Sequence, residues 1–200
     1  KQAILLAAGK LFAERGFDHV TMREIAKEAN CSHTTIYLYF KDKEALLHQL
    51  SKPALMELQH QMEDILQQDL SSERRLTAVS QAFIRFCLVN RNMYTIFFVT
   101  KATRVDDEKP NLAINELRIA LFNLLKRALW ECLDIQPHDE RLLVFSRIFF
   151  FTLHGIVGTY ASSEESAEEL LERLESTFND AIDVLLLGFK QKLKTEVERE

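Results

Sequence analysis

The nine residues after Cys31 hold the side chains best suited to recognition. Ser32-His33-Thr34-Thr35-Ile36-Tyr37-Leu38-Tyr39-Phe40 brings hydroxyls, an imidazole, phenols and a leucine into one short segment. Ile36 and Phe40 are four apart, so they share one side of a helix. The other side then presents His33, Thr34, Thr35, Tyr37, Leu38 and Tyr39. Hydroxyls and phenols donate to phosphate oxygens, and small polar and apolar groups meet base edges and thymine methyls. Thr21 and Lys43 stand at the starts of the flanking helices, where free backbone N–H groups favour anions. Each residue also has a plainer use: Thr21 as a cap, Tyr37 as core, Lys43 as a solvated charge, Leu38 as an ordinary surface leucine.

Bond-breaking chemistry has no comparable set of residues. No Ser-His-Asp order, zinc spacing, Gly-rich phosphate loop or paired carboxylate set stands out, and the six histidines are scattered. An enzyme is therefore not expected, nor a metal or cofactor. The remaining rival is a helical protein-interaction module without DNA binding. Cys31, Cys87 and Cys132 are odd in number and widely spaced, which argues against a disulfide framework and fits a reducing cytoplasm. No secretory signal stands at the front.

The elements that position the recognition segment can be read locally. Ile4, Leu5, Ala8, Leu11 and Phe12 form the apolar stripe of a first helix. Arg15-Gly16 stops it with a cation and a residue free to adopt the left-handed conformation. Thr21-Met22-Arg23-Glu24 has the capping-box pattern and opens a second helix with Ile25, Ala26 and Ala29 inward. Asn30 tolerates the left-handed region, and Ser32 caps the third helix. Two short helices joined by three or four residues have the spacing of a helix-turn-helix.

Beyond residue 50 the pattern gives long helices, because Pro and Gly number only 3 and 5 in 200 residues. A helix from Lys43 to about Gln68 is disturbed near Pro53. Another opens at Ser71-Ser72 and ends at Asn90-Arg91-Asn92. A short aromatic helix over Met93 to Thr103, a polar loop over Asp106 to Pro110 and a helix over Asn111 to Leu133 follow. Pro137 starts the penultimate helix, about 138–162, and the last spans about 165–193. Leu142 to Ala161 has the length of a membrane span, but Arg147 would be costly at its centre; a soluble helix buried on most sides is expected, and no membrane partner. The fold class is all-α: a reading domain over 1–48 joined to a larger helical domain over 49–200, to which the family resemblance given below assigns ligand binding and dimerisation.

The net charge of −5 is unevenly spread: residues 1–48 carry seven Lys/Arg and six Asp/Glu, the remainder eighteen and twenty-four. The acidity lies away from the recognition segment, which keeps non-specific DNA binding weak without opposing the reading head.

From Ile4 to Leu47 the chain resembles the N-terminal domain of TetR-family regulators. The likeness rests on Ile4-Leu5-x-Ala7-Ala8-x-x-Leu11-Phe12-Ala13-Glu14-x-Gly16-Phe17, then Thr21-x-x-x-Ile25-Ala26-x-x-Ala29, then Ser32-x-x-Thr35-Ile36-Tyr37-x-Tyr39-Phe40-x-x-Lys43-Glu44-x-Leu46. It implies phosphate contacts by Thr21, Ser32, Thr35, Tyr39 and Lys43, and base contacts by His33, Thr34, Tyr37 and Leu38. Asn30 stands where the family often has Gly, and Thr34 where it often has a smaller residue.

The resemblance further implies a homodimer on a near-palindromic double-stranded DNA operator, usually as a repressor, released by a small-molecule effector. A plausible interface comprises Phe145, Ile148, Phe149, Thr152, Gly155, Ile156 and Gly158 on the penultimate helix. Leu170, Leu171, Leu174, Phe178, Ala181, Ile182, Leu185 and Phe189 join it from the last. The alternative is that this stripe packs within the subunit. Phe83, Phe86, Tyr94, Phe97, Phe98, Phe122, Trp130, Phe150 and His154 are candidates for an effector pocket suited to a small apolar or aromatic molecule, or else simple core.

Overall fold

The computed structural model describes residues 1–104 and 112–197. The polar loop expected over Asp106–Pro110 and the expected helix start at Asn111 lie outside the described residues. Helices dominate: α1 (Gln2–Arg15), α2 (Met22–Glu28), α3 (His33–Tyr37), α4 (Lys43–Gln67), α5 (Ser72–Val89), α6 (Arg91–Tyr94), a π-helical turn (Thr95–Val99), α7 (Ala113–Leu133), α8 (Glu140–Tyr160) and α9 (Ala167–Val197). The chain divides into two compact units. One comprises 1–57 with 92–120, the other 58–91 with 121–200. Residues 92–120 thus group with the N-terminal helices, a division no local pattern signals.

In the first unit, α1 buries Ile4, Ala7, Ala8, Leu11 and Phe12. Phe17 and Val20 fill the turn beneath them, with the Phe12 and Phe17 ring centroids 5.0 Å apart. Gly16 ends α1 at φ 78°, ψ 153°. This is the mirror-extended region rather than the expected left-handed helical one, and a Cβ is strained there too. α2 buries Met22, Ile25 and Ala26, while Ala29 is half-exposed. Its end is a Schellman motif: Cys31 N–H donates to the Ala26 carbonyl and Asn30 N–H to that of Lys27. Asn30 sits at φ 51°, doing what Gly usually does.

The aromatic helix expected over Met93–Thr103 is instead α6 followed by one π turn. Thr100 N–H reaches back five residues to the Thr95 carbonyl at 2.7 Å. The cause is distant in sequence. The buried Arg118 guanidinium donates to the carbonyls of Phe97 (2.6 Å), Ile96 (2.9 Å) and Thr100 (3.0 Å), and to Asn115 Oδ1 (2.7 Å). Burial lowers its pKa to about 10, so it remains a cation at neutral pH and collects the carbonyls of the turn.

In the second unit, α5 packs against both α8 and α9, and α8 against α9. Pro137 is not the first residue of α8. Asp139 caps it by accepting from Arg141 N–H at 2.9 Å, so the helix starts three residues beyond the proline. By length and composition α8 is apolar enough to cross a membrane, with mean hydropathy 1.6. It is not buried on most sides as expected: Leu142, Phe145, Ser146, Phe149, Leu153 and Val157 are buried, and the opposite side is open.

Candidate functional site

α3 is five residues long, too short to hold itself together in water. Its neighbours hold it. Ser32 Oγ accepts from Thr35 N–H at 3.0 Å, and Ile36 and Phe40 are buried behind it. α2 packs on α3 from one side. α2 is itself fixed to α1 by Arg15–Glu24 (2.8 Å) and Lys10–Glu28 (2.7 Å). The capping box forms as its residues predict: Glu24 N–H donates to Thr21 Oγ1 at 3.2 Å, and Thr21 N–H donates to Glu24 Oε2 at 2.8 Å. Hydrogen bonds from Thr21, with Arg15 beside them, hold the Glu24 carboxyl down at about 2.

The recognition face stands in solvent. Leu38 is 76% exposed, Tyr39 51% and Tyr37 48%; His33 and Thr34 are exposed as well. The Tyr37 core alternative therefore falls away. His33 lies edge-on to Tyr37 with centroids 5.1 Å apart, which pre-orders both. Ser32 and Thr35 share a hydroxyl hydrogen bond of 2.7 Å. That bond uses one of the pair's two hydroxyl protons and leaves the other for an acceptor such as phosphate.

Two expected phosphate ligands are already engaged. The Thr21 hydroxyl donates to Glu24 at 2.8 Å, so it can receive but not give. Lys43 is not a free solvated charge. Its Nζ donates to the Phe17 carbonyl at 2.8 Å and lies over the Phe17 ring, leaving two donors. The sequence reading passed over Arg23 and Lys27, exposed cations one turn apart on α2. They line a shallow recess with Asn30, Cys31, Ser32 and His33. The i, i+4 spacing of like charges beside the turn was the available signal.

The aromatic candidates divide between the units. Phe83, Phe122, Phe150 and His154 come together in the second, with centroids 5.2 Å (Phe83–His154), 4.0 Å (Phe150–His154) and 5.5 Å (Phe122–Phe150). Burial lowers the His154 imidazole to about 4, so it is neutral at physiological pH. Phe86 and Trp130 are half-buried in the same unit. Tyr94, Phe97 and Phe98 are buried in the first unit instead, with Tyr94 and Phe98 5.8 Å apart.

The expected dimer stripe splits the same way. Phe145, Phe149, Leu170, Phe178, Ile182 and Phe189 are buried inside the protomer and are corrected out of an intermolecular surface. Phe145 stacks on Phe189 at 4.6 Å, and Phe178 lies 6.1 Å from Tyr160. Both helices are apolar on two sides, so periodicity did not say which side faced inward. Thr152, Ile156, Leu171, Leu174, Ala181 and Leu185 are half-exposed. Ile148, Gly155 and Gly158 stay on the open side, now joined by Val144, Phe151, Val184, Leu187 and Gly188.

A capped short helix, carried on a Schellman turn with its polar and aromatic side exposed, defines a helix-turn-helix head. Residues 4–50 match the family model for bacterial regulatory proteins of the tetR family. The fatty acid metabolism regulator protein of Bacillus subtilis (strain 168) is 25% identical over 195 residues, 94% of this chain and 95% of that protein. The structure of FadR from Bacillus subtilis in complex with stearoyl-CoA superposes with a TM-score of 0.67 at 24% identity, over 92% of this chain and 97% of that one. The ketosteroid regulator KstR2 of Mycobacterium tuberculosis gives 0.67 at 18% identity, over 90% and 94%. Residues 4–50 therefore match the tetR-family N-terminal region, and the chain as a whole shares the fold of these regulators.

Proposed function

We propose that this regulator is a cytoplasmic repressor that binds a near-palindromic operator as a homodimer and is released by an acyl thioester. The observation that carries the DNA-reading part is the exposed side of α3. Tyr37, Leu38 and Tyr39 are held out in water by a fully buried Ile36, an arrangement with no value to folding. His33, Thr34, Tyr37 and Leu38 meet bases. Thr21, Ser32, Thr35, Tyr39 and Lys43 hold phosphates, assisted by Arg23 and Lys27. The functional division falls at residue 48, between the reading head and the effector and dimerisation region.

One such head makes few contacts, so two are needed, their centres about 34–36 Å apart or a multiple of that. The pairing surface is the open stripe Val144, Ile148, Phe151 on α8 with Val184, Leu187 and Gly188 on α9. Phe151 is 62% exposed and Val184 and Leu187 each 67%, while added Cβ atoms at Gly155, Gly158 and Gly188 would meet nothing within 4 Å. A second copy would cover this surface and pack closely at the glycines. Light scattering on eluted protein should give twice the chain mass, and Phe151→Asp should return the monomer; a monomeric wild type at micromolar concentration removes the dimer.

The effector class is inferred from the fatty acid regulator and from the neutral aromatic cluster of Phe83, Phe122, Phe150 and His154, which suits an apolar chain. The thioester would favour a conformation with a different head separation, with α4, continuous from Lys43 to Gln67, as the lever. Selection from randomised DNA should enrich an inverted repeat whose binding weakens steeply with salt; no enrichment would support the protein-interaction rival. Stearoyl-CoA should then lower affinity for the selected repeat.

A further inference from the structure

Leu38 is 76% exposed, and no other large apolar side chain among the described residues stands as far into solvent. It keeps helical backbone angles at the end of α3 (φ −69°, ψ −23°), so the helical period of about 100° per residue runs on through it. Measured from the fully buried Ile36, that period puts Thr34 and Leu38 together about 160° away, on the crest of the helix. His33 and Tyr37 lie along one flank, with ring centroids 5.1 Å apart, and Thr35 and Tyr39 lie along the other. The crest between these flanks carries aliphatic carbon and a single hydroxyl. Ser32 to Phe40 contains no Arg, Lys, Asn or Gln, the residues that grip guanine or adenine with paired hydrogen bonds.

We propose that Leu38 reads a thymine in each half of the operator by packing on its C5-methyl group, with the Thr34 methyl beside it. This inference rests on the DNA-reading function and specifies the chemistry of that site. The side of a recognition helix opposite its buried anchor goes deepest into the major groove. Among the base edges there, thymine's methyl is the one aliphatic group; guanine, adenine and cytosine present ring nitrogens, carbonyl oxygens and amines. An isobutyl group set against those would take them from water and give no partner in return. Leu38 thus favours thymine by contact and rejects a G·C pair by desolvation, so attraction and exclusion select the same base.

The test uses the inverted repeat recovered from randomised DNA. Each thymine is replaced in turn by deoxyuridine, which removes the methyl and leaves base pairing and phosphates unchanged. At one position in each half, the replacement should weaken wild-type binding roughly fourfold, and about fifteenfold when both halves are changed. Leu38→Ala should melt at the wild-type temperature and bind the thymine and uracil repeats within about twofold of each other, because the methyl has lost its partner. A methyl penalty that persists in full in Leu38→Ala belongs to another residue and overturns the proposal. A clear fall in melting temperature makes Leu38 structural and overturns it as well. Uracil repeats that the wild type binds like the thymine repeat also overturn it, leaving the DNA-reading function intact. If no repeat is recovered, that function fails and this inference fails with it.

Discussion

The Lys43 ammonium sits 4.5 Å from the centroid of the Phe17 ring and donates to the carbonyl of the same residue. One side chain thereby fastens the first turn of α4 to the segment between α1 and α2. Lys43→Met removes the hydrogen bond and the cation–π contact together, an expected cost of about 1–2 kcal/mol. On the proposed reading the two remaining donors meet phosphate, so the slope of log affinity against log salt should also shrink by about 0.9. Melting and salt titration check both. A lower melting temperature with an unchanged slope would make Lys43 a fastener only.

Ser32 separates capping from DNA contact. Ser32→Ala should destabilise the protein by about 1 kcal/mol through loss of the α3 cap. Ser32→Asp restores a cap but sets a carboxylate against phosphate. Its melting temperature should stay near wild type while operator binding is lost at every sequence. Retained binding in the aspartate variant would remove Ser32 from the interface.

Arg118→Met should be among the most damaging single changes. It strips the carbonyls of Ile96, Phe97 and Thr100 of a charged donor inside the protein, at roughly 3 kcal/mol or more. Arg118→Lys should rescue little, since an ammonium lacks the fork that reaches several carbonyls at once. Hydrogen exchange should show the Thr100 amide losing protection first. If it stays protected, the π turn is held by something other than Arg118.

His154 makes stability depend on pH. Its pKa is about 4 in the folded protein against an ordinary value of 6.5, so between these values the unfolded chain binds more protons. Stability is therefore retained above about pH 6.5 and lost as pH falls towards 4, by up to about 3 kcal/mol. Denaturant midpoints measured across that range should fall on acidification, and His154→Leu should flatten the dependence. Identical slopes for the two proteins would mean that the imidazole is not kept neutral.

The reading head was legible residue by residue because its determinants are local. A capping box spans four residues, a Schellman end six, and Ile36 with Phe40 needs only the helical period. The effector and dimer assignments were less legible. Phe145 and Phe151 look alike in sequence, yet one stacks on Phe189 and the other is exposed. An aromatic repeat marks apolar sides without saying what covers each.

The chain alone determined its helical class, the caps and breaks around α1 to α3, and which side of α3 carries the recognition groups. These follow from interactions spanning a few residues, whose geometry the backbone already dictates. Tertiary structure decided the rest: that Lys43 binds Phe17, that Arg118 turns a short aromatic helix into a π turn, and that half of the apolar stripe faces inward. Those outcomes depend on groups brought together across 20 residues or more, and no local period encodes where a distant guanidinium will find its carbonyls.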